Sequence, residues 1–522
     1  MKATKIPFCK VVMTLFATLA IPVGSTAQGG VGHGHRPHHY QLIDMGTFGG
    51  PQSSIVDQGV PGGVYLNNAA MFTGYADSGM PDPNQKFCFL DCYVDRAFQW
   101  QDGIVTKLDV LHHGLSSAPV AISANGLIAG FATNGETDPL FPGFPELRAV
   151  LWHNGHITDL GTLPEGGYES MANSINSRGQ VVGFALNTIP DPDSFASIIF
   201  NNLAGSTQSR AFLWENGAMQ DLGTLGGPDA AALLINERGQ AMGWSYTSST
   251  EAGVCFPLAI GSFIWEKERG IRDIGSLGGT CTLAQDLNNR GQIAGYSFPP
   301  DAAGSVAFLW EHDSFRELGG SIGGDCTGAF VLNDAGEVAG FGCVKGNFFF
   351  HATFWSKDGQ ITDLGTVGSD PCSSAKAIND KGQVVGDSIS LSNCQTTLDA
   401  SRAFLWEDGA IFDLNALIPA GSPLYLIHPQ NINDRGEIAG FGLDASGGQH
   451  AFLLIPCDEE HPGREGCDYS LVDTTLADQA GWDDSMHSPS FTTEGKNTRG
   501  FLNRQRHQID ARSRHPIIRI EQ

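Results

Sequence analysis

Short apolar runs, each closed by Gly, Asn or Asp, follow one another along most of this chain. Runs of that kind, punctuated by turn residues, read as strands rather than helices. Three signatures recur among them in a fixed order. The first is a strand ending in Asp-Leu-Gly or a variant, beginning at Asp44, Asp109, Asp159, Asp221, Asp273, Glu317, Asp363 and Asp413. The second is Ile/Leu-Asn-x-x-Gly-x-x-x-Gly, with its Asn at 67, 176, 236, 288, 333, 379 and 433, and Ser123 in the remaining copy. The third is Ala-Phe-Leu-Trp or a variant, with Trp at 100, 152, 214, 265, 310, 355 and 406, and Leu454 in the last copy.

Each signature has a mechanical meaning. Asn-x-x-Gly is a tight hairpin in which the Asn side chain bonds the turn backbone and Gly takes the left-handed position. Blade one departs, with Ala70 at the glycine's place. The last Gly of the motif, Gly74 through Gly440, is present in all eight copies and predicts close approach of another backbone. Asn-Gly or Asp-Gly after the Trp, as in Asn216-Gly217 or Asp358-Gly359, predicts a second hairpin. The unit is therefore four antiparallel strands. Successive Asn or Ser positions lie 45 to 60 residues apart, the size of a propeller blade. The repeats open on a lone fourth strand, Tyr40 to Gly46, and close on a third strand, His450 to Pro456. Pairing those two would complete the last blade, so the expected fold is an all-β, eight-bladed β-propeller of four-stranded blades over residues 40–456. An open solenoid or two separate sheet domains are the competing readings, but neither uses the permuted phase.

With its three ordered signatures, including His450-Ala451-Phe452, the region 40–456 resembles the HAF-type repeat proteins of bacteria. The resemblance implies secretion and a repeat fold, and brings no catalytic residue.

Composition narrows the function classes. The 522 residues include 67 Gly, which excludes a long helical protein, and 9% aromatics, which disfavours disorder. The signal region contributes +3 and the segment from Cys457 −4, so −25 of the formal −26 falls on residues 28–456. That acidity excludes a nucleic-acid backbone as partner. Lys2, Lys5 and Lys10, the apolar stretch Val11 to Ile21 and the small residues Ser25-Thr26-Ala27 predict a signal peptide over 1–27. A His-rich leader (28–39) and a mobile tail (457–522) are expected to flank the propeller. The apolar stretch is shorter than the roughly 20 residues a membrane-spanning helix needs, and a secreted monomer is the expectation. Ten cysteines outside the signal predict disulfides Cys88–Cys92, Cys255–Cys281, Cys326–Cys343, Cys372–Cys394 and Cys457–Cys467.

Alternating strands put the tight turns on one face. The long insertions (77–95, 133–147, 186–209 and 247–261, all in blades one to four) fall on the other. Loops on a rigid scaffold are where binding concentrates. These loops carry Phe87, Phe89, Phe141, Phe144, Phe195 and Phe256, with Asp91 among accompanying acids. The rings read either as a stacking surface for a glycan or protein, or as satellite cores folded over the propeller. Acids such as Asp138 and Asp191 lack regular calcium-loop spacing and read as solvated. No nucleophile elbow, zinc-protease helix or phosphate loop appears, and no cofactor or metal is implied. The sequence points to a secreted, non-enzymatic binding protein. A polysaccharide-acting enzyme using loop carboxylates, or a structural envelope protein, are the alternatives.

Overall fold

The computed structural model describes residues 38–461 and 467, apart from 57–62, 85–87, 89, 91, 165, 196–206, 301–303, 396 and 399. The expected signal peptide, most of the leader and the segment 468–522 lie outside the described residues. Thirty-two strands form eight four-stranded antiparallel sheets. Blades one to seven occupy 49–107, 117–159, 170–221, 226–273, 282–317, 327–365 and 372–413 in chain order. The eighth takes Leu424–Ile432, Ile438–Asp444 and Gln449–Pro456 and is completed by the first strand, Tyr40–Asp44. The two ends pair antiparallel from Tyr40↔Pro456 to Asp44↔Phe452, so the expected closure of an eight-bladed propeller holds.

Within each blade the conserved spacing has a visible cause. A Cβ on Gly183 would come 1.9 Å from the Met171 carbonyl oxygen of the first strand, and on Gly243 2.0 Å from that of Ala231. The strand pair closes tightly because nothing protrudes there. At the turn before it, Ala70 adopts φ +58°, the left-handed conformation that Gly179, Gly239 and their equivalents supply without strain. Asn154-Gly155 and Asn216-Gly217 both have positive φ, as the two-residue hairpin requires. Asp358-Gly359 departs from this expectation, because only Gly359 is left-handed and the turn is wider, Ser356 N–H donating to the Gln360 carbonyl at 3.0 Å. Blade one's first strand is interrupted. Gly49–Ser54 pairs with the second strand, and the chain returns at Leu66, bridged to Phe72.

The Asn of the second signature also joins blades, a role beyond its turn. Asn176 Nδ2 donates to the Asn236 carbonyl at 3.0 Å, and Asn236 to that of Asn288 at 3.0 Å. The relay passes through Asn333, Asn379 and Asn433, whose Nδ2 reaches the Asn67 carbonyl at 3.0 Å. Asn67 in turn donates to Ser123. Only Ser123, lacking an amide, cannot pass the relay on by itself, and its neighbour Asn125 donates to the Ser177 carbonyl instead. This belt stitches the tight-turn face around the axis. The other two signatures meet at the blade's outer side. Arg210 pairs with Asp221 at 2.9 Å, and His351 with Asp363 and His450 with Asp44 at 3.0 and 2.9 Å. Repeated Asp residues thus hold the repeat together.

Candidate functional site

Opposite the belt, the second strands of blades one to three run on for ten residues each, Phe72–Pro81, Ile128–Thr137 and Val181–Pro190, and their last three residues are exposed. Each ends at an Asp-Pro pair: Asp82-Pro83, Asp138-Pro139 and Asp191-Pro192. The Asp side chain turns the loop by accepting the N–H two residues on, from Asn84 (2.7 Å), Leu140 (2.6 Å) and Asp193 (2.9 Å). Recurrence of Asp-Pro is the sequence signal for this shared loop geometry. These acids are buried, contrary to the solvated reading, because the loops fold back over them. Asp77 and Asp95 are likewise buried, opposite one another on paired strands. Blade seven adds a comparable connection, 390–400, so long loops are not confined to the first four blades.

The loops are tied to one another. Asn84 Nδ2 donates to the Gly143 carbonyl at 2.7 Å, joining the loops of blades one and two. The Tyr246 hydroxyl donates to the Asp193 carbonyl at 2.8 Å, joining blades three and four. Of the expected site residues, Phe144 and Phe195 are buried in the axial core, while Phe141 and Phe256 are half-buried against it. Phe195 lies 4.7 Å from Tyr246 and 5.7 Å from Phe256, and Phe256 6.1 Å from Trp244, ring centre to ring centre. These four rings form one cluster between the loops of blades three and four. Phe87, Phe89 and Asp91 lie outside the described residues. All five expected disulfides are formed.

Exposed apolar side chains at this end stand on the overhanging strand ends and on the loops that follow them. Met80, Leu140, Ile189 and Val254 are 49%, 43%, 54% and 61% exposed, one on each of blades one to four. Phe348 and Leu391 stand on the equivalent connections of blades six and seven. Beneath them, burial dominates the titration of two acids. Glu169 is pushed up to about 9 by desolvation, reinforced by Asp138 and Glu146. Asp229 is pushed up to about 7 by desolvation, despite accepting the N–H groups of Phe195 and Ser209.

A second set of polar residues breaks the repeat. The residue after the invariant Gly is aromatic in seven blades: Tyr75, Phe131, Phe184, Trp244, Tyr296, Phe341 and Phe441. In blade seven it is Asp387, which is buried. Its Oδ2 lies 2.8 Å from His428 Nδ1 and 3.5 Å from Lys376 Nζ. His428, on blade eight's first strand, stands where other blades carry Ala118, Met171, Ala231, Leu283, Gly328 or Ser374. The smaller Asp leaves the room that the imidazole fills, with Phe441 5.0 Å away. The gap in the aromatic column is the signal that marks this set in the sequence. Among the described residues, no three His, Cys, Asp or Glu are grouped to hold a metal ion, and no helix is long and apolar enough to cross a membrane.

No protein-family model and no curated protein matches the sequence. Among solved structures, the chain is similar to the β-propeller domain of the trilobed protease from Pyrococcus furiosus, at 10% identity and a TM-score of 0.38, over 64% of this chain and 96% of that one. A streptogramin B lyase matches at 10% identity and a TM-score of 0.36, over 80% and 98%. A puromycin-hydrolysing peptidase of Mycobacterium tuberculosis matches at 13% and 0.38, over 76% and 61%. At such identities and scores, no activity passes from them to this chain.

Proposed function

We propose that this chain is an exported, non-enzymatic HAF-type repeat protein that binds a protein or glycan through the long-loop face of blades one to four. The observation that carries the reading is the set of exposed apolar side chains Met80, Leu140, Ile189 and Val254, on overhanging strand ends and loops that are buried at their bases and cross-linked. Exposed apolar side chains gathered at one end of a molecule favour a partner that covers them. Pinned loops bind at a lower entropic cost than free ones. The negative charge of the propeller favours a neutral or basic ligand over an anionic one. Export is supported by the basic and apolar N-terminal segment together with five disulfides. The carboxylate-enzyme alternative is less favoured, since Asp138 and Glu169 are covered and offer no surface to a substrate.

The test is a glycan array and a crosslinking screen against extracellular proteins, run with mature protein and with a Met80→Ser, Leu140→Ser, Ile189→Ser, Val254→Ser variant. Wild type is expected to capture a partner that the variant loses while keeping its melting temperature. Capture by both alike, or by neither, rejects this face.

A further inference from the structure

Seven residues before the turn Asn, at the mouth of the first strands of blades three, four and five, the chain meets the long loop of the preceding blade, and it does so with three different chemistries. In blades six and seven the same position, Cys326 and Cys372, bonds within its own blade instead. Between blades four and five the residue is Cys281, joined to loop residue Cys255. Between blades three and four it is Asp229, which accepts the N–H of loop residue Phe195 at 2.7 Å. Between blades two and three it is Glu169, whose carboxyl lies within hydrogen-bonding reach of that of loop residue Asp138. We propose that the long loop of blade two is tethered to blade three by a single proton shared between Asp138 and Glu169, and that loss of this proton releases the loop.

Two carboxylates cannot face one another in a desolvated seam without a proton or a cation between them. Asp138 is 0% exposed and Glu169 3%, and Asp138 Oδ2 and Glu169 Oε1 receive no other donor. The nearby Arg148 guanidinium favours ionised Glu169, but burial and the neighbouring acids Asp138 and Glu146 outweigh it. On blade two, Arg148 is committed to Glu146 at 3.0 Å and to the Tyr168 carbonyl, and Asn134 Nδ2 donates to Glu146 at 2.7 Å. Glu136 on the same strand is exposed, as is His113 on the link whose carbonyl lies against Gly135. No cation among these groups pairs with Asp138 or Glu169, so a proton fits best. The folded protein then binds one more proton than the unfolded chain from the ordinary glutamate range up to about 9. The stability it adds is complete at acidic pH and is lost as pH rises through that value. On release the proton goes to solvent, and repulsion between the two carboxylates drives the loop off the seam.

The experiment follows Glu169 by carboxyl-carbon NMR between about pH 6 and about pH 10, a span chosen to bracket the shifted group. In parallel, subtilisin cleavage within 134–146 is measured and normalised to an unstructured peptide. Cleavage is expected to rise at least tenfold, with a midpoint coinciding with the Glu169 titration. The Cys255–Cys281 loop should keep a flat profile over the same span. Glu169→Gln, which replaces the proton with an amide donor, should hold the loop closed throughout. Asp138→Asn serves the same purpose should the first variant not fold. Titration of Glu169 in the ordinary carboxylate range, a pH-independent cleavage rate in wild type, or closure at high pH by millimolar calcium would each overturn the proposal. A pH-dependent binding face would follow only if the binding reading holds. The titration and cleavage do not depend on it.

Discussion

At the scale of single residues, the repeat explains itself by its exceptions. Ala70 holds a left-handed turn that glycine holds elsewhere, at a cost of about 1 kcal/mol. Ala70→Gly should therefore raise the unfolding free energy by about that amount in urea melts, a rare gain from adding a glycine. The reverse change at Gly183 should cost about 3 kcal/mol or more, since its new Cβ would meet a backbone carbonyl that cannot step aside. Asp387 is an exception of a different kind. Asp387→Ala should cost about 3 kcal/mol by removing the carboxylate that faces buried His428 and half-buried Lys376. Asp387→Phe combined with His428→Ser would restore the arrangement of the other blades and recover most of the loss. A double variant no more stable than Asp387→Ala would show that the polar set is not simply standing in for an aromatic ring.

At the scale of elements, strands, turns and disulfides were legible because each leaves a local mark at a fixed offset. Gly after Asn, Asn-Gly after Trp, and a Cys seven residues before Asn each fix one backbone event. The loops were not legible in the same way. Phe144 and Phe195 could have faced water or the core, and only tertiary packing, which for Phe195 is against Tyr246 and Phe256, decides for the core. Burial of Asp138 and Asp191 was equally hidden, because a carboxyl that caps a turn and one that is solvated look alike in sequence. Asn236 was half read. Its turn was visible, but its bond to Asn288 crosses 52 positions and belongs to no local pattern. The loop of blade four offers the element-scale test. Replacing Cys255 and Cys281 by Ser opens a crosslink spanning 26 positions, expected to cost about 3 kcal/mol on the chain-entropy account. Hydrogen exchange should quicken across 248–259 and leave the neighbouring loop of blade two unchanged.

At the scale of the whole molecule, stability turns on one seam, because seven blades are continuous chain and the eighth is not. Tyr40–Asp44 holds the ring shut by pairing with Gln449–Pro456, and the seam carries the ion pair His450–Asp44, with Nδ1 2.9 and 3.1 Å from the two carboxylate oxygens. Blade three makes the same link with Arg210, which does not titrate in any accessible range. The hydrogen bond to Asp44 raises the affinity of His450 for its proton above that of an ordinary imidazole, against the smaller opposing effect of burial. The sign follows directly. A raised folded value adds stability that is complete below the unfolded value and is lost as pH climbs through the folded one. The ring should therefore loosen at this seam as pH climbs above the ordinary imidazole range, separately from the tether at Glu169, which lies in another blade. Exchange of the amides in 40–44 reads the seam alone. It is expected to accelerate in wild type as pH rises from about 6 to about 8, a span centred on histidine titration. His450→Arg, the residue that blade three uses, should stay protected across that span, and His450→Gln should be unprotected at both ends of it. Equal protection in wild type and both variants would mean that backbone pairing closes the ring without help from the charge.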